Sequence, residues 1–544
     1  LDEAKNPCDD FYGYVCGTHR GAGQLSQISA AIRYLNIRFL KESKIPLANQ
    51  AAWQKAAALY KTCISFVKAN KTETEYLARW MLSMNLDFNN QTRLFTTDPV
   101  DIMIRGSLDL GVHAVLSFRL MNTWFFRQKR LMALEFSTEE ASWLHHRKSL
   151  PDNVSRDYYT KLLRLYGVLP HRDTLLASTI VKYERYLRSI IRRRHREAPF
   201  HVAIGELQNF TATFVSKERW VNPISKYTNG TYTEEDNIIV IQPALNVLVD
   251  ILNSTVGENG LRYLVAWSMY RQLVGYTVPD MLTKRRTASD ACYEHTGKTM
   301  QLALLSSYFK TVVQPSMVES VRTMVSNIQK AFREKFEASS WVTGDDRLVV
   351  VQKLANMKTY VGSAGERFKG DYVEKLYEAY PDVPPNHLFS SWIEALSLSS
   401  HYLWADSTTW LYDETEVNAF YEIRKNVLVL PTAIISRPLY YDQGPPAINY
   451  GALGAIRQRA REEVDDFTDS ENLADFVGVR LAYKAFSSLP QHQRRLTLVG
   501  LNMSAERLFF IGHCFRSCSQ VNNLAPQYAP YRSRCIVPLM NMPE

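Results

Sequence analysis

Apolar positions along most of the chain recur with the spacing of one helix face. Residues 321–336 show it most clearly, with apolar side chains at i, i+3, i+4 and i+7 that predict one buried face: Val321, Met324, Val325, Ile328, Phe332 and Phe336. A helix-start signal follows at Thr343, with Asp346 three residues later, and residues 348–357 supply the next apolar face. Similar periodicity covers most of residues 25–340, which predicts a mainly helical fold.

Strand signals are fewer than helix signals. The runs IIVIQPAL from Ile238 and LVLPTAII from Leu428 are short, β-branched and bounded by turn residues, which predicts a strand in each. The sequence thus predicts a mainly α fold with a smaller α+β part. Its predicted regions are a helical part over 1–365, a connector over 366–414 that contains YPDVPPNHLF, and an α+β part over 415–544.

Composition and charge narrow the class of protein. The chain has 544 residues, 46% of them hydrophobic, which is enough for large cores. No apolar run reaches the ~20 residues of a membrane span. The net charge is +9, but the basic residues are dispersed, so we expect no nucleic-acid partner. The one dense basic run covers residues 188–196, and a polyanion-binding surface there is an alternative function.

Cysteines and glycosylation signals indicate an oxidising compartment. The 7 cysteines lie far apart without a CxxC pair, which favours disulfides over a structural zinc site. N-x-S/T sequons accompany them and predict glycosylation at Asn70, Asn90, Asn153, Asn209, Asn229, Asn253 and Asn502. We therefore expect an extracellular protein, secreted or the ectodomain of a single-pass membrane protein, with any signal or anchor upstream of Leu1 in a longer precursor.

Four blocks, in order along the chain, resemble one family of enzymes. They are NPCDDFYGYVCG at 6–17, VNAFYEIRKNVLVLPTAII at 417–435, NYGALGAI at 449–456 and ENLADFVGVRLAY at 471–483. They are similar to the ectodomain start, the substrate-binding strand, the lead-in to the zinc helix and the third-ligand helix of neprilysin-family zinc endopeptidases. The resemblance implies two lobes around a cavity for a peptide or protein ligand, the C-terminal lobe being thermolysin-like and truncated, and zinc as the family cofactor.

The resemblance also implies partners for some of the cysteines. It pairs them as follows: Cys16 with Cys518, and Cys63 with Cys292. Cys8 resembles a residue that pairs near the family's extreme C-terminus, beyond Glu544, and is therefore expected to be an orphan. The resemblance assigns no partner to Cys514 or Cys535, and their alternative pairings are with each other or with Cys8.

The residues that bind zinc in the family are replaced in this sequence. HExxH supplies two histidine ligands one helical turn apart, with a glutamate base between them. Extending NYGALGAI without a gap places Arg459 at the first histidine, Ala460 at the base and Glu463 at the second histidine. A register shifted by one residue also gives no histidine. Because arginine has no lone pair to donate to a metal, we expect no zinc and no other cofactor.

A deletion separates these residues from Glu471, the vestigial third ligand. Only residues 464–470 stand where the family has several dozen. Two interpretations of Arg459 and Glu463 remain open: a guanidinium in place of the metal, converging with Glu471, or a surface i, i+4 pair on the zinc helix. Glu471 is alternatively a helix cap, since Thr468 three residues before it makes a capping-box pattern.

The outer part of the family's site is partly retained. The resemblance assigns substrate binding to Asn418 and Ala419, the pair that holds the peptide backbone. It assigns vestigial catalytic roles to Arg534, the contact to a substrate carbonyl, and to Asp475, the carboxylate that orients the second metal histidine. Asn418 and Arg534 are alternatively ordinary hydrogen bonders that stabilise the fold. Tyr528 stands where the family has a histidine that stabilises the oxyanion. Without a metal, we expect Asp475 to be a buried carboxylate paired with an arginine, either Arg459 or Arg480.

These departures favour a pseudopeptidase, which binds a peptide or a protein partner outside the cell and does not hydrolyse through zinc. The opposing hypothesis is an active zinc endopeptidase of short peptides. It requires a gene-model defect at 457–470, such as a mis-joined exon. The sequence offers no substitute chemistry, because it contains no GxSxG motif and no phosphate-binding glycine loop.

Overall fold

The computed structural model describes most of the chain, in two compact units. The described residues are 1–90, 94, 96–121, 131–193, 198–211, 214–241, 243–284, 286–362, 371–384, 386–405, 414–422, 426–455, 458–460, 467–520, 530–540 and 542. Unit 1 comprises residues 1–38, 305–372 and 410–544, and unit 2 comprises residues 39–304 and 373–409. The predicted regions therefore differ from the compact units, because the first residues of the chain belong to the unit that contains its C-terminal part.

Helices dominate the described residues, as the apolar periodicity predicts. In chain order they are α1 (Phe11–Cys16), α2 (Gln24–Glu42), α3 (Ala52–Ala69), α4 (Thr74–Ser83), α5 (Pro99–Asp109), α6 (Thr138–Lys148), α7 (Asp152–Tyr166), α8 (Pro170–Arg193), α9 (Gln208–Thr211), α10 (Lys217–Tyr227), α11 (Ala244–Leu252), α12 (Gly257–Val274), α13 (Pro279–Leu282), α14 (Ala288–Val312), α15 (Pro315–Glu337), α16 (Gly344–Ala355), α17 (Tyr372–Leu376), α18 (Leu388–Ala405), α19 (Pro446–Ala452), α20 (Phe467–Ser487), α21 (Gln491–Arg494), α22 (Ala505–Phe515) and α23 (Tyr531–Met540). None of them combines the length and the apolar character that a membrane span needs.

The described strands form two mixed sheets of four strands each. Unit 2 contains β1 (Leu116–Met121), β2 (Leu131–Phe136), β3 (Phe200–Ala203) and β4 (Asn237–Val240), in the order β1-β2-β4-β3. Unit 1 contains β5 (Lys358–Val361), β6 (Ala419–Glu422), β7 (Val427–Leu430) and β8 (Gln458–Ala460), in the order β5-β7-β6-β8. The predicted strands at Ile238 and Leu428 are β4 and β7.

The antiparallel pair β1 and β2 lies in a region whose periodicity predicted helices. Their sequences, LSFRLM and LMALEF, are rich in leucine and methionine, which favour helices in isolation. Five of the six residues of β2 are buried. Sheet pairing and burial therefore override the local helix preference in this segment.

The predicted apolar face of α15 is only partly covered. Val321, Met324 and Val325 are buried, whereas Ile328 and the phenylalanines that follow at positions 332 and 336 keep part of their surface accessible. The next helix begins directly after Thr343, as predicted, but α16 has no buried residue. The described residues of unit 1 therefore leave part of the apolar surface of α15 and α16 accessible to solvent.

Disulfides connect distant parts of each unit. The structure contains both disulfides that the resemblance implies, Cys16–Cys518 and Cys63–Cys292. A third, Cys514–Cys535, decides the pairing that the sequence left open. Cys8 is free and exposed, as expected of an orphan. The asparagines of all the sequons are exposed, so glycosylation at them remains a prediction that their surroundings allow.

Candidate functional site

The segment predicted to contain the zinc helix includes a strand. Helix α19 ends at Ala452, and β8 then pairs in parallel with β6, with Arg459 opposite Phe420. The prediction that Arg459 and Glu463 form an i, i+4 pair on a helix is therefore wrong, because Arg459 has the extended backbone of a strand. Only the backbone of β8 is described, and Glu463 lies outside the described residues.

The predicted substrate-binding strand, β6, has a neighbour on each side. It pairs with β7 through Phe420 and Val429 and with β8 through Ala419 and Gln458. The side chain of Asn418 turns back along the chain, where its Oδ1 accepts a hydrogen bond from the Ala419 amide at 3.0 Å. A peptide can add to a sheet only at unpaired backbone groups, so a peptide on β6 must displace a neighbouring strand.

The helix predicted to carry the third metal ligand is α20, and it begins at Phe467. Thr468 is the second residue of this helix, and the capping box of Thr468 and Glu471 remains a prediction. Glu471 is on α20, four residues before Asp475, and only its backbone is described. Its role as a vestigial ligand remains a prediction.

Four polar residues of unit 1 form a buried group that we call the Asp475 cluster: Asp475 on α20, His513 on α22, Arg516 directly after α22, and Arg534 on α23. The Asp475 Oδ2 accepts a hydrogen bond from Arg534 Nε at 2.8 Å, and its Oδ1 accepts one from Arg516 Nη2 at 3.3 Å. Asp475 is only 3% exposed. It is therefore a buried carboxylate held by arginines, as expected.

The arginines that hold Asp475 are not the predicted ones. Arg480 packs its guanidinium over the ring of Phe476, 4.8 Å from the ring centroid, and Arg459 is on β8. Arg516 and His513 were not among the predicted site residues. They are three residues apart in HCFRSC, at and just after the end of α22, and this spacing could have pointed to a shared environment.

The disulfide Cys514–Cys535 holds this cluster together. It joins α22 to α23, and its cysteines are the chain neighbours of His513 and Arg534. Both cysteines are fully buried and pack with Val15 in the same apolar cluster. Burial lowers the pKa of the Arg516 guanidinium, and the nearby Asp475 carboxylate opposes that shift. The cluster is thus a fixed, largely dehydrated set of charges.

His513 is neutral inside this cluster. Burial lowers the pKa of His513 from 6.5 to about 3, the neighbouring Arg516 adds to the shift, and Asp475 opposes it. Neither ring nitrogen has a hydrogen-bond partner of normal geometry among the described atoms. Protonation of this ring is therefore much easier in the unfolded chain than in the folded one.

Acid is expected to destabilise unit 1 through His513. The unfolded chain takes up the proton first, so the stabilisation is complete above pH 6.5 and is lost as the pH falls from 6.5 towards 3. Between pH 7 and pH 5 the free energy of unfolding should fall by about 2 kcal/mol. Urea unfolding of unit 1 at both pH values, in the wild type and in His513→Leu, measures this. The His513→Leu variant should lose that part of the pH dependence, and His492→Leu, on the exposed surface of α21, should keep it.

The residues at the family's metal positions do not fit a catalytic zinc. The first position is an arginine on a strand, and the base position is an alanine on the same strand. Extended backbone does not give the one-turn spacing that two ligands of HExxH need. Within the described ranges, no three His, Cys, Asp or Glu side chains converge.

Two other predicted features fall wholly or partly outside the described residues. Tyr528, which stands at the position of the family's oxyanion histidine, is one of them. The basic run at 188–196 leaves the described part of the chain after Arg193, where α8 ends. Polyanion binding by that run remains a prediction.

Comparisons with known proteins identify the family. A family model described as Peptidase family M13 matches residues 7–364, and a second with the same description matches residues 418–459. The chain is 21% identical to membrane metallo-endopeptidase-like 1 of Mus musculus, over 100% of this chain and 85% of that protein. It is 22% identical to endothelin-converting enzyme-like 1 of Homo sapiens, over 98% of this chain and 81% of that protein.

Solved structures show the same fold. The zinc metalloprotease ZMP1 of Mycobacterium tuberculosis in an open state matches with a TM-score of 0.73 at 16% identity, over 99% of this chain and 96% of that one. A galactose-containing glycoprotein complex of Haemonchus matches with a TM-score of 0.65 at 14% identity, over 100% of this chain and 93% of that one. The family matches cover more than half of the sequence. The chain therefore belongs to peptidase family M13, the family of its neprilysin-like relatives.

Proposed function

We propose that this member of peptidase family M13 is a pseudopeptidase that binds a peptide or a protein partner outside the cell and does not hydrolyse peptides through zinc. The observation that carries the proposal is the position of Arg459. Extending NYGALGAI without a gap places this residue at the first metal histidine, and it lies on a strand paired with β6. A positively charged side chain without a lone pair cannot replace a histidine ligand.

Two further observations support a binding function over catalysis. The Asp475 carboxylate, which would orient a metal ligand, is held by Arg516 and Arg534. The second family match ends at residue 459, so the residues that complete the metal site are not part of the matched region. The retained M13 fold without the metal positions is what a pseudopeptidase requires.

Disulfides and glycosylation sequons support an extracellular location. Three disulfides join cysteines that are up to 502 residues apart in the sequence. Such bonds persist in oxidising compartments, where N-x-S/T sequons are also glycosylated. The sequon asparagines are exposed at the surface.

The test is the metal content of the purified glycosylated protein. After dialysis against trace zinc, plasma mass spectrometry is expected to find close to zero zinc per chain. A quenched fluorescent peptide should stay uncleaved with and without a chelator.

The Glu471→Ala variant is the matched control for the zinc measurement. Close to one zinc per chain in the wild type, lost in Glu471→Ala, would contradict the proposal, as would chelator-sensitive cleavage. Either result would revive the active endopeptidase.

A further inference from the structure

A cavity of about 410 Å³ lies inside unit 1, beneath one face of its sheet. Helices α15, α16 and α20 form its other walls. Apolar side chains dominate the lining, among them Ile328, Phe332, Leu354, Leu428 and Leu481. The volume falls in the range of small-molecule binding sites, which is about 300–1,000 Å³.

The cavity lies where the predicted zinc helix would continue. Helix α19 stops at Ala452, and the next residues, Leu453 and Gly454, are part of the cavity wall. Two residues of the helix predicted to carry the third ligand, Val477 and Gly478, line the cavity as well. In the described part of the chain, apolar side chains of α15 and α20 therefore line this cavity.

Polar groups gather at one part of the cavity lining. The Tyr421 hydroxyl donates a hydrogen bond to Asn426 Oδ1 at 2.7 Å, and Asn426 Nδ2 donates one to the Lys353 carbonyl at 2.7 Å. The Lys353 ammonium lies 6.0 Å from the centroid of the Tyr421 ring. Lys353 is exposed, and no carboxylate of the described residues forms an ion pair with it.

We propose that this cavity binds a free fatty acid, with the acyl chain against the apolar lining and the carboxylate on Lys353. An apolar wall accepts a chain of methylene groups, each worth about 0.8 kcal/mol, or about fourfold in affinity. The Lys353 ammonium, which has no ion pair among the described residues, matches one carboxylate. The uncovered faces of α15 and α16 are the surface that such a ligand would remove from water.

No residue of the Asp475 cluster lines the cavity, whereas Ala419 on β6, a predicted substrate-binding residue, does. The proposed ligand differs in chemistry from a peptide, so direct comparison of their binding distinguishes the two.

Calorimetric titration of the whole glycosylated protein with dodecanoate, below its micelle concentration, is the test. We expect saturable binding of one molecule per chain, and octanoate should bind weaker by about fourfold for each missing methylene. Dodecanol, which lacks the charge, should bind about tenfold weaker than dodecanoate. No saturable binding of dodecanoate would overturn the proposal, as would equal affinity for a short peptide with a C-terminal leucine.

Two variants locate the binding. A Cβ at Gly478 would meet only the Ala455 carbonyl oxygen, at 3.7 Å, so Gly478→Leu can place its side chain in the cavity, and leucine favours a helix more than glycine does. Gly478→Leu should weaken dodecanoate binding at least tenfold, whereas Gly478→Ala should keep it within threefold.

The second variant, Lys353→Met, removes the charge and keeps the aliphatic stem. It should weaken dodecanoate binding about tenfold and leave dodecanol unchanged. Unchanged dodecanoate binding in both Gly478→Leu and Lys353→Met would place the ligand elsewhere and overturn the assignment.

Discussion

Replacing Asp475 with alanine is expected to lower the free energy of unfolding of unit 1 by about 3–5 kcal/mol. The carboxylate is only 3% exposed and accepts hydrogen bonds from Arg516 and Arg534. Without it, two guanidinium groups that are themselves largely buried lose the anion that holds them. Water cannot reach Arg516 to compensate, because this residue is 8% exposed.

Urea unfolding with hydrogen exchange in α20 and α23 measures this loss within unit 1. The matched control is Asp345→Ala on α16, where the carboxylate is exposed and the change should stay within about 0.5 kcal/mol. Asp475→Asn, which keeps the size and one acceptor oxygen, should lie between the two. If Asp475→Ala behaves like Asp345→Ala, the arginines do not depend on Asp475 and the cluster is not a structural unit.

Removing the disulfide Cys16–Cys518 by a double alanine substitution should cost about 5 kcal/mol, the upper end for disulfides. The bond closes a loop with a sequence separation of 502, so it restricts the unfolded chain more than a short loop does. In the folded state the same region is held by weaker contacts. Examples are the hydrogen bond from Tyr12 to the Ser519 carbonyl at 3.2 Å and the one from the Gln520 amide to Gly21 at 3.0 Å.

The bond Cys514–Cys535 provides the comparison, since it lies in the same apolar cluster and has a sequence separation of only 21. Its double alanine variant should lose about 3 kcal/mol. Thermal unfolding of both variants, with exchange measured in α1 and α22, gives the ranking. A larger loss for the short loop would show that native packing, and not chain entropy, sets the contribution of these bonds.

The lack of an HExxH motif was visible in the sequence, but the strand at Arg459 was not. The identities of Arg459 and Glu463 are read directly from the sequence, so no structure was needed to see that neither is a histidine. Whether Arg459 stays on a helix depends on long-range pairing with β6, which local propensity does not report. The partners of Asp475 were likewise misjudged, because Arg516 and Arg534 reach it only through the packing of α20, α22 and α23.

The sequence by itself determined the helical fold class through its apolar periodicity, and the order of its motifs indicated the family, whose resemblance in turn implied the disulfides Cys16–Cys518 and Cys63–Cys292. Periodicity and motif order are local properties of a single chain, whereas the disulfide pairing came from the resemblance. Only the tertiary structure decided the pairing of β8 with β6, the Asp475 cluster and the apolar cavity of unit 1. Each of these joins segments far apart in the chain, and the energy that selects them comes from burial and pairing in the folded state.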